Sequence, residues 1–347
     1  MRLRTRVCGL LDIQYPVFAA GMGGVTMAPL AGAVSAAGGM GVLGATFLTP
    51  AELREEIAAV RRITDRPFGV DLLIPTDIPA EIGARAIPPF PTFLDDLLPE
   101  VEGLSGSPPP PLTLELARAQ VEVTLAERVP VLVSALGTPE WLVREAHRAG
   151  TKVMSLIGNV RQARRLEQMG VDVIIAQGAE AGGHVGSVTT FVLVPQVVDA
   201  VEVPVLAAGG IGDGRGVAAA LMLGAEGAWI GTRFLATVES SAHENHKKKI
   251  LAVDEEGTVV SRCYTGKPSR VLKNRFTDRW KGHEAEILPM PWQRIWVELL
   301  VAPAKAAGRV DIANFPTGQV AGAITDIPQA AEVVAQLVKE TREALAR

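Results

Sequence analysis

Eight short apolar runs, each ending in glycine or a small polar residue, set the tightest limit on how this chain can fold. They cover residues 17–20, 40–45, 67–73, 131–135, 152–156, 171–177, 204–208 and 227–230. Most are apolar without alternation, as expected of strands buried on both faces, which occur in parallel sheets covered by helices. Helical patterns separate them, at residues 28–37, 51–62, 112–128, 139–149, 160–169 and 216–223, with a shorter piece at 196–200. Thr49 stands as N-cap before Pro50, a residue pre-set for the first helical position. Eight strands alternating with helices predict an α/β fold, a (β/α)8 TIM barrel rather than an open doubly wound sheet.

The beat is interrupted twice. Residues 74–111 are rich in proline, with Pro88, Pro89, Pro91 and a run at 108–111, and read as a loop excursion. Residues 235–314 carry Trp280, Trp292 and Trp296 with much of the local charge and read as a mainly helical insertion, or lid, over the barrel mouth. A helix over about 330–345 then returns as the last of the barrel. The expected division is a barrel of residues 1–234 and 315–347 with a lid at 235–314. The total of 347 residues suits a barrel of about 250 residues plus an insertion.

Composition removes several function classes. Apolar residues make up 48% and charged residues 21%, enough for a large core. The net charge is −4 and the basic residues are dispersed, unlike a nucleic-acid footprint. Lys247, Lys248 and Lys249 read as a solvated helix face. Cys8 and Cys263 offer neither a disulfide framework nor metal-ligand spacing, so a reducing cytoplasm is the simpler location. Neither a secretory h-region nor an apolar run of membrane-spanning length is present.

In a barrel of this kind the C-terminal ends of the strands share one face, and chemistry collects there. Gly21, Met22, Asp71, Ser134, Gln177, His184, Gly209, Gly210, Gly231 and Thr232 all fall at such ends. The densest stretch is Ala176-Gln-Gly-Ala-Glu-Ala-Gly-Gly-His-Val-Gly186, a strand opening into a glycine loop with one imidazole. Glycines there let backbone N–H groups approach a ligand, and His184 is the side chain able to exchange a proton near neutral pH. The loops after strands seven and eight are where barrels commonly bind phosphate, so a phosphorylated ligand is expected. Gly39-Met-Gly-Val-Leu-Gly44 spells a dinucleotide fingerprint but follows a helix and lies within a strand, so strand packing explains it. His243 and His246 have helical i, i+3 spacing without supporting ligands and read as solvated side chains rather than a metal site.

These motifs carry a resemblance. The 177–186 loop, Ala207-Ala-Gly-Gly-Ile-Gly-Asp-Gly214, Gly231-Thr-Arg-Phe-Leu-Ala236, Pro67-Phe-Gly-Val-Asp-Leu72 and Thr317-Gly-Gln-Val-Ala-Gly322 resemble the FMN-dependent nitronate monooxygenases (2-nitropropane dioxygenases). The flavin-dependent enoyl-acyl-carrier-protein reductases belong to the same superfamily. The resemblance implies FMN contacts at Ala20, Gly21, Met22, Asp71, Gln177, Gly182, Gly183, Gly209, Gly210, Ile230, Gly231 and Thr232, and His184 as the catalytic residue. It implies oxidation of a nitronate or nitroalkane with O2 to a carbonyl product and nitrite, with His184 as base toward a nitroalkane. The alternative it leaves is NAD(P)H-dependent reduction of an enoyl thioester or quinone, which the stretches 239–250 and 268–274 also resemble. A homodimer is an assembly open to it. Position 71 departs from the family, where asparagine is usual: Asp71 is held protonated, or accepts from a flavin N–H, or its role has moved. The length of the 74–111 excursion is also unusual for the family.

Overall fold

The structure is a computed structural model that describes residues 3–76, 87–106 and 110–347. Residues 77–86 and 107–109 of the proline-rich excursion, with Pro108 and Pro109, lie outside the described residues. In chain order the strands are β1 (Val17–Ala19), β2 (Met40–Gly44), β3 (Gly69–Leu73), β4 (Val131–Ala135), β5 (Lys152–Ile157), β6 (Val173–Gln177), β7 (Gly183–His184), β8 (Val205–Ala208), β9 (Gly227–Ile230), β10 (Thr258–Ser261) and β11 (Ser269–Leu272). The helices are α1 (Arg6–Leu10), α2 (Ala28–Ala36), α3 (Pro50–Ile63), α4 (Leu114–Ala126), α5 (Glu140–Arg148), α6 (Val160–Gln168) and α7 (Thr190–Val198). They continue with α8 (Gly214–Met222), α9 (Thr232–Leu235), α10 (Glu244–Ile250), α11 (Arg275–Arg279), α12 (Trp292–Ala306) and α13 (Ala330–Leu345).

The eight apolar runs of the sequence are the eight strands of a closed parallel barrel, β1-β2-β3-β4-β5-β6-β8-β9, which shuts where Val17, Phe18 and Ala19 pair with Ala228, Trp229 and Ile230. Strand alternation sorts the side chains into two cores. Phe18, Met40, Val42, Val133, Met154, Ile175, Leu206 and Trp229 fill the interior, while Val17, Leu43, Val70, Leu132 and Ile174 face the helices. Helix α1 adds Val7 and Cys8 to the interior cluster. Its first residues bind Glu226, just ahead of β9, so it plugs the N-terminal end of the barrel and leaves the C-terminal face for a ligand.

Local chemistry explains the regular parts. Thr49 and Glu52 form the reciprocal capping box at the start of α3, with Pro50 as first helical residue. The false dinucleotide fingerprint is packing: a Cβ on Gly41 would lie 2.0 Å from the Ala31 carbonyl oxygen, and one on Gly44 2.2 Å from that of Met22. The short helical piece expected at 196–200 is the end of the longer α7, which runs through Pro195. Proline removes the bond to the carbonyl four residues back, that of Phe191, and Phe191 is exposed, so solvent can satisfy it.

The region after the barrel's eighth strand carries helices α10, α11 and α12 together with a strand pair that the sequence reading did not include. The pair is β10–β11, antiparallel with Val259 opposite Val271, and β11 pairs on its other edge with β7, in the loop between β6 and α7, to make a three-stranded sheet outside the barrel. Each of these strands has two or four residues, too few to give a period in sequence. A second hydrophobic core gathers Tyr264, Phe276, Trp280, Trp296, Leu300 and Phe315 with Leu94, Leu97 and Val101 of the excursion. Phe93 meets Trp280 edge-on at 5.1 Å, Trp296 Nε1 donates to the Pro89 carbonyl at 3.0 Å, and Arg275 and Arg309 both pair with Glu100. The described part of the excursion therefore packs on the insertion's core.

Candidate active site

The barrel contributes a ring of backbone at its C-terminal face. Ala20 N–H donates to the Ile230 carbonyl at 2.9 Å, joining the ends of β1 and β9. A Cβ on Gly231 would lie 3.5 Å from Met22 Sδ, which places Met22 beside the β9 loop. Gly182 backs onto Thr317 and Gly318, within 2.9 Å of where its Cβ would stand, and Gly318 N–H donates to Thr232 Oγ1 at 2.9 Å. Gly209, at φ 104°, and Gly210, at φ 73°, follow β8 in the left-handed region that favours glycine. A Cβ on Gly209 would come 3.2 Å from Ala181 N and 2.7 Å from Thr190 Oγ1. The loops after β1, β6, β8 and β9 are thus in mutual contact. Ile230 belongs to this ring through its carbonyl, while its side chain faces the outer core.

The polar inventory of this ring is informative. The N–H groups of Gly182, Gly209, Gly210 and Gly231 donate to no acceptor among the described residues. Backbone N–H groups are rarely left without a partner, and several unpaired ones on touching loops suit an anion. Glu180 sits in the same loop, but its carboxylate accepts from the N–H and hydroxyl of Thr190 at 2.9 and 2.8 Å. Its charge is thereby committed to the N-terminus of α7.

The insertion positions the imidazole. His184 lies in β7 opposite Ser269 of β11, and Gln177 at the end of β6 donates through Nε2 to the His184 carbonyl at 2.7 Å. Gly183 precedes it at φ 82°. His184 Nε2 lies 3.0 Å from Thr265 Oγ1, whose own hydroxyl reaches the Lys267 carbonyl at 3.2 Å. All contacts at Thr265 are satisfied when Nε2 carries the proton, an assignment made from the hydrogen-bond network, and Nδ1 is then the free lone pair. Burial, with the Lys267 and Arg294 cations adding to it, lowers the His184 pKa to about 4. The residue as a whole is half-buried. Arg294 of α12 pairs with Glu298 at 3.2 Å and covers Phe47 of the β2–α3 connection at 5.1 Å, so α12 reaches the rim.

Asp71 stands apart from the backbone ring. It faces the barrel interior between Gly44 and Val133, 6% exposed, and its Oδ1 is buried without a hydrogen-bond partner. A Cβ on Gly21 would lie 2.2 Å from Asp71 Cβ, so glycine at 21 is what lets the carboxyl occupy the end of β1. Burial alone raises its pKa well above the usual carboxylate range.

Two readings of the sequence need correction. His246 is not solvated: it is buried and its Nε2 meets Thr317 Oγ1 at 2.8 Å, ahead of the Gly318 turn that backs the glycine ring. Burial, then Lys305 and His243, lowers its pKa to about 3. Lys247 is likewise buried, with Nζ 3.2 Å from Glu244, so the lysine run is not a uniformly solvated face. His243 is exposed, in keeping with its reading, and caps α10, its Nδ1 accepting from Asn245 N–H. Among the described residues no group of three or more His, Cys, Asp or Glu could hold a metal ion, and no helix is long and apolar enough to cross a membrane. Thr265, Lys267 and Arg294 were invisible as partners of His184, since Thr265 is 81 residues away.

Comparison with known proteins places the chain. The nitronate monooxygenase family matches residues 4–340. A protein of Staphylococcus saprophyticus described as "Probable nitronate monooxygenase" is 33% identical, with all of both chains covered. The nitroalkane oxidase of Streptomyces ansochromogenes is 32% identical with a TM-score of 0.85, covering 98% of this chain and 99% of that one. FabK from Thermotoga maritima is 36% identical with a TM-score of 0.82, covering 99% and 97%. With a closed eight-stranded barrel, an anion-ready glycine ring and a family match over nearly its whole length, the chain belongs to the nitronate monooxygenase family and is an oxidoreductase.

Proposed function

We propose that the protein oxidises nitronates, and more slowly the parent nitroalkanes, to a carbonyl product and nitrite, using bound FMN and O2. The observation that carries this reading is a neutral imidazole beside two cations at the barrel mouth: His184 with Lys267 and Arg294. A nitronate is already an anion, so it is drawn to that charge without needing a proton removed. His184, with a pKa near 4, is a weak base and would take the α-proton of a nitroalkane only slowly.

FMN fits the residues present. The unpaired N–H groups of Gly182, Gly209, Gly210 and Gly231, with the Thr232 hydroxyl, suit its phosphate. Ala20, Gly21, Met22, Gln177 and Gly183 line the approach for the ring, and the partnerless Asp71 oxygen faces the same end of the barrel. When bound, FMN supplies the electron acceptor and the reaction with O2. The chain itself orients the substrate between His184 and the cations. Residues 1–234 and 315–347 are read as the cofactor-binding barrel, and 235–314, with the excursion packed on it, as the cap that shields the reaction from water.

His184→Asn tests the assignment. FMN binding is expected to persist, nitroalkane turnover to fall roughly 10²–10⁴-fold, and nitronate turnover to change much less. In the wild-type protein the nitroalkane rate should hold until the pH falls through about 4, because His184 stays neutral above that. Equal losses for the two substrates would remove the base role. Anaerobic mixing adds a second arm: flavin bleached by a nitronate supports this reading, and flavin bleached only by NADH or NADPH would replace it with a reductase.

A further inference from the structure

A buried acid with no partner needs an explanation, since such a group is costly inside a protein and is usually found with its hydrogen bonds made. Among the described strand residues facing the barrel interior, Asp71 is the buried acid, and its neighbours there are Gly44, Val133 and the Gly21 backbone. No ionisable group from β2, from β4 or from the loop after β1 faces it, and no hydrogen bond to either carboxyl oxygen is formed by the described residues. Burial alone raises its pKa well above the usual carboxylate range, which favours the neutral carboxyl. A neutral carboxyl offers one O–H donor and one C=O acceptor, the same pair as a primary amide. It differs from an amide in one respect, since its proton can be lost.

We infer that Asp71 is a proton-bearing contact to the flavin ring: its neutral carboxyl supplies a donor and an acceptor to the bound ring, and it makes flavin affinity depend on pH in a way an asparagine cannot. This rests on the flavin reading above. A neutral carboxyl at this position keeps the donor and acceptor pattern of an amide. What it gains is a titratable site whose ionised form would place a negative charge, able only to accept, against the ring. Binding therefore requires the protonated form. Linkage gives the sign: the bound state holds the Asp71 proton more tightly than the free state, so FMN affinity is constant below the pKa of the free protein and falls as pH rises above it, by up to about tenfold per unit.

Infrared difference spectra of the cofactor-free wild-type protein, before and after addition of FMN, provide the direct test. A protonated-carboxyl C=O band present at neutral pH and shifted by FMN is expected, and Asp71→Asn should lack it. FMN titrations across alkaline pH form the second measurement, in which the wild-type Kd climbs relative to that of Asp71→Asn, the variant serving as control for ionisation of the flavin itself. A band that is absent at neutral pH, a band that FMN leaves unmoved, or Kd profiles that run parallel would each overturn the inference. The wild-type spectra stand even if the variant fails to fold. Failure of FMN to bind at all would instead sink the functional reading, and this inference with it.

Discussion

The barrel and the insertion solve different problems in the same site. The barrel offers backbone: its glycine ring is positioned by strand register and, at Gly182 and Gly209, by contacts too tight for a Cβ, and apart from Asp71 it carries little side-chain chemistry. The insertion offers side chains: through β11 it holds His184 in a ladder, through Thr265 it sets which nitrogen is protonated, and Lys267 and Arg294 add to burial in making the ring a weak base. On the proposed function, cofactor binding and proton chemistry fall to separate parts of the chain. Perturbing one should leave the other standing.

The strongest test of that division strikes the barrel side. At Gly182 a Cβ would already lie 2.8 Å from Gly318 N, and Gly182→Val would push the 178–186 loop off the 317–318 turn. Overpacking of this kind costs about 1–3 kcal/mol, so the FMN Kd should rise about 10–100-fold, read by quenching of flavin fluorescence. An unchanged Kd would mean that the ring is not the phosphate cradle.

A middle-sized effect is expected from the insertion side. Lys267→Ala removes one of the two cations that add to burial in depressing His184, so the acid limb of nitroalkane turnover should move from about 4 toward the ordinary histidine value. Loss of one charge at the rim should raise the nitronate KM about fivefold, on the order of 1 kcal/mol, with FMN affinity unchanged. If FMN affinity fell in step with KM, the two regions would not be separable.

How much of this was legible in the sequence follows the same line. The barrel strands were readable because each is an unbroken apolar run closed by a turn residue, a local signal that packing only reinforces. The glycines were readable for the same reason, and so was the acid at the end of the third strand, Asp71, although its missing partner required the fold. The insertion was not. Its strands β10 and β11 are four residues each, and His246 and Lys247 look solvated in a charged run although contacts with Thr317 and Glu244 accompany their burial. Burial there depends on partners scattered from residue 94 to residue 315, and no local period reports such contacts.

The smallest predicted effect is the most discriminating. Thr265→Val keeps the bulk of a buried side chain but removes the oxygen that His184 Nε2 and the Lys267 backbone share. One neutral hydrogen bond contributes about 0.5–1.5 kcal/mol, so nitroalkane turnover should fall about 2–10-fold, with nitronate turnover and FMN affinity close to wild type. Thr265→Ser, which retains the hydroxyl, should restore the rate. A purely structural role for Thr265 would lower both substrates' turnover together and would be rescued by size rather than by the hydroxyl. Selective loss with nitroalkane, rescued by serine, would show that the insertion acts on the chemistry through the orientation and tautomer of His184, while the barrel continues to hold the cofactor unaided.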